Sequence, residues 1–207
     1  MRKMTVIGLT GSIGMGKSTA ANMLREMSIP VHDADAAVHA LLSTGGKAVE
    51  AVGAAFPATL KKDDRGAGYI DRQALGRIVF GDAAEKKKLE DILHPLVRAE
   101  SDAFVLEMAA RKAPLVVLDI PLLFETNGEK RVDIIICVSA PAEVQRKRVL
   151  ERPGMTAEKF DRILASQLPD AEKRKRADYV VETNKGFPDM RRQLEKIIAH
   201  VRDLPVT

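Results

Sequence analysis

Gly11-Ser-Ile-Gly-Met-Gly-Lys-Ser18 follows the apolar run Thr5-Val-Ile-Gly-Leu9 and precedes a segment, Ser18 to Met27, with Ala21, Leu24 and Met27 at helical spacing. This stretch decides the fold, because G-x-x-x-x-G-K-[ST] between a strand and a helix is a phosphate-binding loop in its required context. Each part has a use. Gly11, Gly14 and Gly16 let the backbone curl so that the N–H groups of Ser12, Ile13, Met15 and their neighbours turn toward phosphate oxygens. The helix that starts near Lys17 adds its positive end, Lys17 bridges the β- and γ-phosphates, and the Ser18 hydroxyl is placed for Mg²⁺, with Thr19 next to it.

Outward from the loop the pattern alternates. Ile29-Pro-Val-His32 reads as a second strand ending in Asp33-Ala-Asp35, with a helix to follow. Two carboxylates two residues apart at a strand end project to one side. Gly45 to Gly68 reads as loops between short helices, and Asp71 to Arg111 as helix-rich, with Asp82 an N-cap and Pro95 ending one helix so that another starts near Leu96. Leu115-Val-Val-Leu-Asp119 and Val132 to Val138 are continuous apolar runs, as parallel strands covered on both faces require. Ala142 to Gln167 is helical with a break at Pro153-Gly154. Tyr179-Val-Val181 is a last strand and Met190 to Val201 a closing amphipathic helix. Such an order gives a parallel sheet with helices on both sides and ligands at the carboxyl ends of the strands.

Composition narrows the class. The 207 residues are 45% hydrophobic and 30% charged, enough for one α/β core with a small inserted lobe. The lone cysteine, Cys137, closes no intrachain disulfide and sits in a buried-strand pattern, which points to a reducing, cytoplasmic setting. Glycines and Lys17 cut the N-terminal apolar stretch before a signal segment forms, and no run approaches the roughly 18 apolar residues of a membrane span. A net charge of +4 with 4% aromatics lacks the stacking residues of a nucleic-acid platform, so a small polyphosphate accounts for the positive balance and neither nucleic acid nor membrane is expected.

Several motifs together resemble the dephospho-CoA kinases, over Thr5 to about Pro188: Gly8-Leu-Thr-Gly-Ser-Ile-Gly-Met-Gly-Lys-Ser-Thr19, Val31-His-Asp-Ala-Asp35, Leu93-His-Pro-Leu-Val-Arg98, Asp119-Ile-Pro-Leu-Leu-Phe-Glu125, Gln145 to Arg152, Gln167 and Ala177 to Asn184. Ser12 and Met15 depart from the family's loop, and Ser12 restricts it if that residue needs positive φ. The resemblance implies a P-loop NTPase-like three-layer α/β/α fold with a parallel sheet, an inserted helical acceptor-binding lobe and a short helical lid. The expected boundaries are a core of about 1–35, 114–144 and 177–207, a lobe of about 36–113 and a lid of about 145–176, in a monomer or weak homo-oligomer.

It also implies MgATP as phosphoryl donor and the ribose 3′-hydroxyl of 3′-dephospho-CoA as acceptor. Asp35 is then the base, with Asp33 and Thr10 nearby on the acceptor; the alternative for Asp35 is a cap on the next helix. Asp119, at a strand end, is a candidate in the Mg²⁺ shell, or an ordinary strand-terminal Asp. Arg148 and Arg152, four apart, would share one helix face on the lid and reach the triphosphate, or form a solvated basic face. His94 and Arg98 fall to the acceptor pocket, Pro121, Leu122 and Glu125 to its wall, and Asn184 to adenine. Another small-molecule kinase on this scaffold, or a nucleotide-dependent binding module, are the competing readings.

Overall fold

The computed structural model describes residues 4–204. It divides into two compact units, one formed by the chain up to His32 and from Val105 onward, the other by Asp33–Phe104. The lobe drawn at 36–113 from the sequence thus compares with a unit that ends at Phe104, because the last turns of its long helix belong to the first unit.

The first unit is built on β1 (Thr5–Thr10), β2 (Val31–Asp33), β5 (Leu115–Asp119), β6 (Ile134–Ser139) and β7 (Tyr179–Glu182), ordered β2-β5-β1-β6-β7. β1 runs parallel to both β5 and β6, and β6 parallel to β7. The chain leaves β1 to one side for β2 and returns to its other side for β6, so the order reverses at β1, where α/β sheets bind ligands. Alternate residues explain the layering. Ile7, Leu9, Val117, Ile136 and Val138 join Leu24 of α1 (Lys17–Glu26) and Leu194 and Ile198 of α9 (Phe187–Asp203) in the main core, whereas Ile135 packs with Leu123 and Phe124 in another. The remaining helices of this unit are α6 (Ala142–Leu150), α7 (Ala157–Ala165) and α8 (Asp170–Arg176). α8 lies beyond the helical stretch read from the sequence, its basic run giving no apolar period.

The second unit holds α2 (Ala34–Leu42), α3 (Val49–Ala55), the hairpin β3 (Leu60–Lys62) and β4 (Gly68–Ile70), α4 (Arg72–Val79) and most of α5 (Ala83–Ala110). Leu41, Leu42, Val52, Phe56, Ile70, Leu75 and Leu93 form its core. Two expectations are corrected. The loop region around Lys61 to Arg65 is an antiparallel hairpin, its turn set by Asp63 Oδ1 accepting from the N–H groups of Arg65 and Ala67, with Gly66 at φ 81°. Its charged strand had no alternation to reveal it. Pro95 does not end a helix, since α5 passes through it. Asp82 does cap this helix, accepting from Ala84 and Glu85. The bond that Pro95 withholds belongs to the carbonyl of Asp91. Both residues are exposed, so water serves that carbonyl, while Leu89, Ile92, Leu93, Leu96 and Val97 pack on either side.

Pro95→Ala is therefore expected to raise stability by about 2 kcal/mol, the regained bond and relieved ring exceeding the extra freedom of the unfolded chain, as read from a denaturant midpoint. For Cys137, burial pushes the thiol up to about 12 from 9.0. The folded chain then keeps a proton that the unfolded chain gives up, so this contribution is whole below pH 9 and lost as pH climbs toward 12. At pH 8 a thiol reagent should label the native protein hardly at all and the denatured protein at its one cysteine; prompt native labelling would contradict this burial.

Candidate active site

The phosphate loop connects β1 to α1 at the point of reversal. Its glycines are there because nothing larger fits. A Cβ on Gly11 would stand 2.4 Å from Val138 Cγ2 and 2.8 Å from the Val138 carbonyl oxygen, and one on Gly14 2.4 Å from Val149 Cγ2. Gly14 and Gly16 also lie at φ 77° and 93°, in the left-handed region. Ser12 has no positive φ, so the restriction it threatened does not arise. Met15 turns its side chain into the core, 2% exposed, where Sδ accepts from Ala140 N–H at 3.1 Å. The loop thus tolerates Met15 because only its backbone faces the site. Helix α1 starts at Lys17, so its first N–H groups, including those of Ser18 and Thr19, have no intrahelical partner and attract anions.

Lys17 Nζ lies 2.5 Å from Asp119 Oδ1 at the end of β5, with both side chains largely buried. Without a phosphate, the carboxylate supplies the counter-charge that a buried ammonium needs. The sequence assigned these residues to phosphate and metal, not to each other.

Helix α6 lies under the loop. Val149 touches Gly14, Gln145 Nε2 donates to the Ile13 carbonyl at 2.7 Å, and Arg148 donates to Thr183 Oγ1 at 2.9 Å and to its carbonyl oxygen at 2.6 Å. Thr183 Oγ1 in turn donates to the Met15 carbonyl. These contacts tie down part of the expected lid: Gln145 and Val149 are buried against the loop, while Arg146, Lys147 and Leu150 are exposed. They also separate Arg148 from Arg152, which lies past the helix end in an exposed turn, its N–H bonded to the Val149 carbonyl. Beyond β6 and β7 a hollow of about 320 Å³ is lined by Ala140, Pro141, Asp170, Arg174, Glu182 and Asn184. Lys185, hydrogen-bonded to Glu182, holds that carboxyl below the usual glutamate range.

Pro121 to Glu125 is fixed from behind. Thr10 Oγ1 and Lys173 Nζ both donate to the Pro121 carbonyl, at 3.2 and 3.3 Å. Lys173 is fully buried and pairs with Glu125 Oε1 at 2.8 Å, which also accepts from Leu168 N–H. The hydroxyl of Thr10 and one carboxylate oxygen of Glu125 are thus committed to the protein. Leu122 is half-buried and Leu123 belongs to the core.

In the second unit, Asp33 and Asp35 are not alternate strand residues. Asp33 is the N-cap of α2, accepting from Ala36 N–H at 3.0 Å, and Asp35 is exposed in the first helical turn. The cap role imagined for Asp35 belongs to Asp33. His94 and Arg98, four apart on α5, share a helix face. Nothing in the sequence marked the buried Lys173, one of four consecutive basic residues, or the structural use of Gln145 and Thr183; a polar residue gives no signal of burial without a partner in view.

Lys173→Met should lower stability by about 3 kcal/mol by stranding Glu125, and pairing it with Glu125→Gln should recover part of that loss in a denaturant titration. Equal stability of Lys173→Met and wild type would show that the pair carries nothing.

Comparison with known proteins gives one answer. The dephospho-CoA kinase family model matches residues 5–189. The curated dephospho-CoA kinase of Mesorhizobium japonicum is 53% identical over 199 residues, covering 96% of this chain and 98% of its own. Among solved structures, a Thermus thermophilus protein is 38% identical with a TM-score of 0.78, over 96% of this chain and 97% of its own. Dephospho-CoA kinase from Campylobacter jejuni is 26% identical with a TM-score of 0.65 over the same shares.

Proposed function

The chain belongs to the dephospho-CoA kinase family, and from that premise we propose how its residues divide the transfer of the ATP γ-phosphoryl group to the ribose 3′-hydroxyl of 3′-dephospho-CoA. The observation that carries the reading is the glycine loop at the sheet's reversal point, with Lys17 held beside it by Asp119. The triphosphate tail lies on the loop amides and the α1 N-terminus, and Lys17 exchanges Asp119 for the β- and γ-oxygens. Adenine takes the hollow beside Asn184, whose side-chain amide suits a purine edge. Arg148 spends two of its five N–H donors on Thr183, leaving the others for phosphate, and exposed Arg152 adds charge from the turn.

Asp35 is the base. Its support is that it is exposed and that Asp33 relieves it of capping. Its carboxylate takes the proton of the 3′-hydroxyl as that oxygen bonds to the γ-phosphorus and the bond to the β–γ bridging oxygen breaks, releasing ADP and CoA. Asp33 orders the backbone beneath it. His94 and Arg98 bind the acceptor's polar groups, with Pro121 and Leu122 as apolar wall. Ser18 and Asp119 form a two-oxygen set that suits Mg²⁺ held chiefly by nucleotide phosphates rather than by a protein cage. Bound there with ATP, Mg²⁺ would neutralise charge on the β- and γ-oxygens. A cytosolic location goes with this reading and is supported by the buried lone thiol. Among the described residues no helix is long and apolar enough to cross a membrane.

Asp35→Asn should keep MgATP affinity in calorimetry and lose about 10²- to 10⁴-fold in kcat in a coupled ADP-release assay with dephospho-CoA. Turnover near wild type would remove Asp35 from this role.

A further inference from the structure

Ile13, in the middle of the phosphate loop, is expected from the sequence to turn its N–H toward phosphate but instead has both of its backbone polar groups taken by side chains from elsewhere. Gln167 Oε1 accepts its N–H at 3.0 Å, and Gln145 Nε2 donates to its carbonyl at 2.7 Å. The backbone dictates which end of each amide is used, since an N–H needs oxygen and a carbonyl needs a donor. Two identical side chains therefore do opposite jobs on one residue.

Both are held in place. Gln145 is 4% exposed on α6, and its own carbonyl would stand 3.1 Å from a Cβ on Gly14. Gln167 lies in the connection between α7 and α8, where the next residue, Leu168, is tied through Glu125 Oε1 to the buried Lys173. The loop between them is rich in glycine and so has the backbone freedom to turn its peptides either way. We propose that Gln145 and Gln167 are positioning residues for the nucleotide. By gripping Ile13 at its N–H and C=O, they keep that N–H turned outward and hold the neighbouring amides in the inward arrangement a triphosphate needs. The loop is then ordered before ATP arrives, and ATP does not bear the cost of ordering it. This rests on the reading of the loop as the nucleotide site.

The test uses the full chain and a non-hydrolysable MgATP analogue, with affinity by calorimetry, melting temperature for each variant, and KM and kcat with dephospho-CoA. Gln145→Met and Gln167→Met keep volume and lose the bond, so each should weaken the analogue by about ten- to a hundredfold and raise KM for ATP more than they lower kcat. The charged pairs separate a clamp from mere packing. Glutamate accepts but does not donate, so Gln167→Glu should bind the analogue about tenfold or more tighter than Gln145→Glu. Lysine donates but does not accept, so the order should reverse, with Gln145→Lys tighter than Gln167→Lys. Within each pair the added charge is the same and sits against the same residue. A variant that fails to fold in one pair leaves the other to decide. Equal affinities within the pairs, or folded Met variants with wild-type affinity, would overturn the clamp. Loss of analogue binding by the wild type would instead overturn the nucleotide-site reading.

Discussion

The loop between β1 and α1 is pressed against its neighbours so closely that Gly11 and Gly14 have no room for a Cβ, with Val138 and Val149 at 2.4 Å from where one would stand. Much of the first unit follows from that constraint. The loop backbone is held by side chains that come to it, Gln145 and Gln167 at Ile13 and Thr183 at the Met15 carbonyl, while Met15 anchors itself through Sδ to the Ala140 N–H. These partners come from α6, from the residues just past β6 and β7, and from the α7–α8 connection.

That dependence explains why the segment first drawn as a lid divides in function. Residues up to Leu150 carry Gln145, Arg148 and Val149, each bound to the loop or to Thr183 beneath it, and such a helix cannot swing without unmaking the site. Past Pro153 the chain is more exposed, and α7 has a single buried residue, Phe160.

The sheet, its parallel strands and the loop were legible because each leaves a local mark: continuous apolar runs, a glycine pattern of fixed spacing, a helix period after Lys17. The hairpin at Leu60–Ile70 left none, since its strands are three residues long and its first is charged and exposed. Pro95 was misread because a local rule, that proline stops helices, yields where the lost bond faces water and the flanking apolar residues are packed. Asp35 was counted as the end of a strand although the helix begins at Ala34, and the cap weighed as its alternative belongs to Asp33. Lys173 shows the limit of composition: in a run of four basic residues, one is wholly buried, and only the carboxylate of Glu125, 48 positions earlier in the chain, tells which.

The pairing of Lys17 with Asp119 gives the phosphate loop's lysine a counter-charge within the fold. A buried ammonium left without a counter-charge destabilises a fold by about 3–5 kcal/mol, so a phosphate-binding lysine set this deep needs an anion of its own while the loop is empty. Asp119, at the end of a central strand and 2% exposed, supplies it at fixed geometry. On the function proposed above, a polyphosphate would bring more negative charge than one carboxylate and draw Lys17 away, and Asp119 would then be available to help hold Mg²⁺. A neutral residue at this position would leave Lys17 without that counter-charge.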